Sequence, residues 1–208
     1  MQPETKQQLL DDLDFAAKLA RDGANTPLLG GTYFIIWSGL LVPTLILHGA
    51  TIDGFLPISA NYVGLMWMAY GIVGTVLSTI YGFKARTKKG INSWLNRLSR
   101  TAGITVSVLI FSFAVAMTVS VAMGKFEKES FNLILPFAFA LQTFHLTILG
   151  RLSQKAYLIS ASYFAAISML VTLIFNDLNL IYYFSAFSVL LTMTLPGFLE
   201  IRDETKND

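Results

Sequence analysis

The chain reads as an all-α membrane protein, with six transmembrane helices in one bundle and a cytoplasmic amphipathic helix ahead of them. Three observations predict this. Hydrophobic residues make up 54% of the 208 residues and charged residues only 13%, about half the charged share of an ordinary soluble domain. The mean hydropathy is +0.58. The apolar residues gather in six blocks, over 31–49, 58–83, 102–124, 131–150, 156–176 and 179–199. At about 1.5 Å per residue each can cross a hydrocarbon core roughly 30 Å thick. The basic residues then fall almost wholly on one side of those blocks.

Residues 1–30 form the first region. Pro3 suits a first helical turn and Gly23 a stop, which predicts a helix over 3–22. Leu9, Leu10, Leu13, Ala16, Ala17 and Ala20 form one stripe, with Asp11, Asp14, Lys18, Arg21 and Asp22 opposite. Residues 1–25 are net acidic, whereas membrane-surface helices are usually basic. The helix is therefore expected to pack under its own bundle or to dock a cytoplasmic protein partner. It has no apolar core before Tyr33, so it does not read as a signal peptide, and the first span is expected to serve as an uncleaved anchor.

The six-helix domain covers 31–199. In the first span Pro43 cannot donate to the carbonyl of Gly39, which predicts a kink. The second span carries Gly64, Gly71, Gly74, Ser78 and Gly82, small residues that let helix backbones approach closely, within the monomer or in a homo-oligomer. Similar stripes occur at Ala116, Ser120 and Gly124, at Ala161, Ala165, Ser168 and Thr172, and at Ser185, Ser188 and Thr192. Residues 105–124 alternate small and large, yet a lone strand in lipid would leave its backbone unpaired, so they read as helix. Pro196–Gly197 is expected to end the sixth span, leaving 200–208 as a cytoplasmic tail. Short loops predict that successive helices are antiparallel neighbours.

The loop over 84–101 is long and basic. Its Lys84, Arg86, Lys88, Lys89, Arg97 and Arg100 come with no acid, and Ile91, Trp94, Leu95 and Leu98 follow helical spacing. That predicts a short helix lying on anionic lipid, with Trp94 at the interface. Nucleic-acid binding is not expected of so short a membrane-held loop. With this loop inside, all of the fifteen basic residues except Lys125 and Lys128 are inside as well. The positive-inside rule then puts both termini in the cytoplasm. Short outer loops and the absence of Cys suit a bacterial inner membrane.

The chemistry is mostly one of exclusion. Without Cys there are no disulfides, iron–sulfur clusters or thiolate zinc sites. No H-E-x-x-H or G-x-S-x-G occurs. No Asp, Glu, Lys or Arg falls within the six blocks, which disfavours a membrane-embedded proton relay. The two histidines, His48 and His145, would differ in depth by roughly 20 Å and cannot bracket one haem. No catalytic residues, metal or cofactor are expected. Gln142 and His145 share a helix face with Ala138 and form the candidate intramembrane polar site, either as interhelical glue or as a solute site. The expected function is that of a non-catalytic regulatory, scaffolding or assembly partner. A small channel or transporter for a neutral or weakly polar solute is the alternative, and a lipid-modifying enzyme comes third.

Overall fold

The computed structural model describes residues 7–17, 27–59, 62–88 and 90–206. Its described residues are all-helical, without strands. Seven α-helices follow in order: α1 (Gly31–Ile52), α2 (Val63–Ala85), α3 (Trp94–Ala122), α4 (Ile134–Ser153), α5 (Ala156–Ile174), α6 (Leu180–Val189) and α7 (Leu195–Thr205). A 3₁₀ turn, Lys128–Leu133, leads into α4, and a π-helical segment, Leu190–Thr194, joins α6 to α7. These make six helices long and apolar enough to cross a membrane, the mark of a multi-pass membrane protein. Of the helix expected over 3–22, the described part, 7–17, is helical and exposed throughout, and the rest lies outside the described residues.

The spans pack as an open arc in the order α2, α1, α6–α7, α5, α4, α3. The four middle members supply most of two core clusters. One holds Leu45, Phe139, Ala165, Tyr182 and Val189. The other joins Phe34, Leu146, Leu149 and Leu158 to Leu28 in the lead-in and Leu95 at the start of α3. The α4–α5 hairpin is closely packed: a Cβ on Gly150 would come within 2.9 Å of the Ile159 backbone nitrogen. Gln154 turns the chain there in the left-handed region, at φ 56°.

Two local expectations are corrected. The sixth helix does not stop at Pro196–Gly197. Pro196 withdraws one backbone donor, and the π-helical turn just ahead of it takes up the mismatch, so the helix continues to Thr205. The basic loop holds no separate surface helix, because α3 starts at Trp94 with the Ser93 hydroxyl accepting from the Asn96 N–H. In keeping with the long connection between them, α2 and α3 do not pack side by side: α2 lies on α1, and α3 lies on α4 and its 3₁₀ lead-in.

Candidate functional site

His145 is 7% exposed on α4. Its ring lies 6.0 Å from Phe34 of α1, and a Cβ on Gly103 of α3 would stand 3.8 Å from its Cε1. It therefore sits where α1, α3 and α4 converge. Its Nε2 is buried without a hydrogen-bond partner, as is Nε2 of Gln142, one helical turn away. In hydrocarbon such atoms have no water to turn to. The arrangement leaves an imidazole and an amide nitrogen unpartnered in the interior, and it offers no nucleophile–base pair. Among the described residues no three His, Asp or Glu side chains gather as a metal site.

His48 belongs to a different structure at the far end of the bundle. Its Nδ1 accepts from the Trp67 indole N–H at 3.2 Å, and its ring lies 4.0 Å from that of Tyr182. The Tyr182 hydroxyl donates to Asn132, whose amide donates to the Asn176 carbonyl at 2.6 Å. Beside it Asp53 accepts from Asn179 and Tyr183. These bonds tie α1, α2, the 3₁₀ turn, the α5–α6 turn and α6 together.

The small-residue positions of α2 separate into two groups. A Cβ on Gly74 would strike Trp37 at 2.5 Å, and one on Gly82 would stand 3.2 Å from the Tyr33 hydroxyl. Ser78 lies between them with a buried hydroxyl. These three seat α2 on α1. Gly64 and Gly71 meet nothing within 4 Å. Gly39 likewise meets nothing, and α1 runs as one helix through Pro43.

The end of the bundle that carries residues 27–31 and Thr205 is the more polar. Asn96 was not singled out from the sequence, yet it is the hub here. Its Oδ1 accepts from the Leu29 N–H at 2.9 Å, and its amide donates to the Pro27 and Gly90 carbonyls, each at 3.0 Å. Lys155 pairs with Asp203 at 2.9 Å, and Lys88 pairs with Glu204. Burial works against the Lys88 ammonium, but hydrogen bonds from it to Glu204 and Tyr81 outweigh this and hold its pKa above the ordinary lysine value. Lys84, Arg86, Arg97 and Arg100 are exposed, with the Arg86 guanidinium over the Phe83 ring at 4.8 Å, whereas Trp94 packs against the core. Lys89 lies outside the described residues. Glu200, also unremarked in the sequence, is buried on α7. Periodicity marks apolar faces, and neither residue breaks that pattern visibly.

An apolar groove of about 320 Å³ runs between α5 and the α6–α7 join, with Tyr157, Phe164, Leu191 and Pro196 among its walls. No family model, curated protein or solved structure matches this chain.

Proposed function

We propose that the chain is a non-catalytic subunit of a membrane complex, a regulatory, scaffolding or assembly partner. We place it in a bacterial inner membrane with both termini in the cytoplasm. The observation that carries the reading is the unequal burial of the spans. Only 6% of the apolar window of α2 and of α3 is buried, against 28% to 44% in the other four. Both helices keep large exposed side chains, Met68, Ile72 and Ile80 on α2 and Ile104, Phe111 and Val119 on α3. With α2 and α3 held apart by the open arc, a helix from another chain has two walls to pack against. The exposed Leu9, Leu10, Leu13 and Phe15 on the acidic N-terminal segment suit a cytoplasmic protein surface. The thirteen-to-two division of basic residues supports the orientation, and the exposed Lys84, Arg86, Arg97 and Arg100 suit anionic lipid, at about 1 kcal/mol each.

The test is photo-crosslinking in native membranes from Met68 and Ile72 on α2, with Ile167 on α5 as the control. The expected result is one stoichiometric protein adduct from the α2 positions and none from the control. Lipid adducts alone from all three positions would overturn the reading. A second reading, a channel or transporter for a neutral or weakly polar solute, is favoured by the unpartnered Gln142 and His145 nitrogens. Solute flux into proteoliposomes that His145→Gln abolishes, with the fold retained, would establish it instead.

A further inference from the structure

We propose that Glu200 is a proton-binding site that locks α7 onto the end of the bundle: the neutral acid docks there, and the carboxylate does not. The inference is independent of the partner-subunit reading. Glu200 is 2% exposed, and neither of its carboxyl oxygens has a hydrogen-bond partner. It lies in a cradle that only glycine permits. A Cβ on Gly30 would stand 3.1 Å from its Oε2 and 3.5 Å from the Ser99 hydroxyl of α3. A Cβ on Gly31 would come within 2.8 Å of the Glu200 Cβ and 2.6 Å of the Gly197 carbonyl oxygen. The side chain is thus packed against Gly30 of the lead-in and Gly31 in the first turn of α1.

The charges around it do not neutralise a carboxylate. Lys155, at the α4–α5 turn, is the cation that bears on it, but its ammonium is bonded to Asp203. Asp203 and Glu204, from α7 itself, add negative charge. Tyr157 of α5 is the neighbouring phenol, and residues 27–34 contain no charge. An ionised carboxylate taken out of water without a donor or a counter-ion is strongly disfavoured, and the usual resolution is to take up a proton. A metal ion fits worse, because the described residues hold no cluster of acidic and His ligands and the glycine cradle is closed around Oε2. A proton needs no such space.

The consequence is mechanical. Asp203 and Glu204 fasten α7 to Lys155 and Lys88, on the α4–α5 turn and on the loop after α2. Glu200 packs against the Gly30–Gly31 backbone, and does so only as the neutral acid. The folded state then keeps a proton that the unfolded chain releases near pH 4.3, the ordinary value for Glu, in round terms. Stability is full below that pH and is lost as pH rises above it.

Two readouts test this on the full chain in an ester-free detergent. At pH 7 the infrared spectrum should show a protonated-carboxyl C=O band that shifts in D₂O and vanishes in Glu200→Gln. Between pH 5 and 8 the wild-type Tm, taken relative to that of Glu200→Gln, should fall by about 3–5 °C per pH unit, the slope of one proton for a chain of this size. Glu200→Gln, a neutral isostere, should flatten that slope and melt above wild type at pH 8. If Glu200→Gln does not fold, the wild-type band must still persist through the pH range in which Tm falls and vanish where Tm levels off. Absence of the band at pH 7, an unchanged slope in Glu200→Gln, or a Tm that falls only after the band has vanished would overturn the proposal.

Discussion

The four middle spans and the two outer ones are made of the same materials and are used differently. In α5 and α6 the small-residue stripes are buried against each other, and Ser168 donates to Ser188 across the contact at 3.0 Å. The Thr172 and Thr192 hydroxyls close the same faces by bonding back to their own helices. Of the small residues of α2, Gly74 and Gly82 meet α1 whereas Gly64 and Gly71 meet nothing, and in α3 Ala116 and Gly124 are exposed. A stripe of small residues therefore records that backbones can come close. It does not record whether the neighbour belongs to the same chain.

Substitutions can sharpen this contrast. The largest effect is expected at Gly31→Ala, because the new Cβ would lie 2.6 Å from the Gly197 carbonyl oxygen and both atoms belong to packed backbone. Overpacking of that kind should cost about 3 kcal/mol, read as a fall in unfolding midpoint in detergent micelles. Asn96→Ala should come next, at about 2 kcal/mol, since it strands the Leu29 N–H and frees two carbonyls at once. Amide exchange at Leu29 should speed up in the same variant. Ser188→Ala removes one interhelical hydrogen bond between α5 and α6 and should cost only about 0.6 kcal/mol. Gly64→Ala, in the outer pair, should cost nothing measurable in the isolated chain, because its Cβ enters open space. A large loss there would mean that α2 is packed more fully than the arc allows.

The six spans were legible because length and apolar composition decide a membrane crossing almost alone. The polar interior of α4 was legible for a related reason: Gln142 and His145 stand out in an apolar run, and the structure puts both Nε2 atoms out of contact with solvent. The ends of the bundle were less legible. Asn96 sits among Arg97, Arg100 and Ser99, where composition points to a wet surface, and its role depends on residues 67 and 69 positions away. Glu200 follows a Pro–Gly pair that ordinarily ends a helix, and the π-helical turn that carries α7 onward leaves no local mark. The separation of α2 from α3 had no local signal, because the long loop between them imposes no adjacency, and α1 and α4 each offer a seat, through Trp37 on Gly74 and through the stacked Phe113 and Phe137 rings at 4.4 Å.

The central claim is that the outer pair is an interface whose second half lies outside this chain. Gly71→Leu tests it most directly, because Gly71 has no atom within 4 Å of its added Cβ and shares a face with Gly64. The measurement is the complex recovered by mild-detergent purification from native membranes, set beside the thermal midpoint of the isolated chain. The account predicts an unchanged midpoint and loss of the stoichiometric partner. A partner retained at wild-type level alongside Gly71→Leu, or a midpoint that collapses with it, would contradict the account.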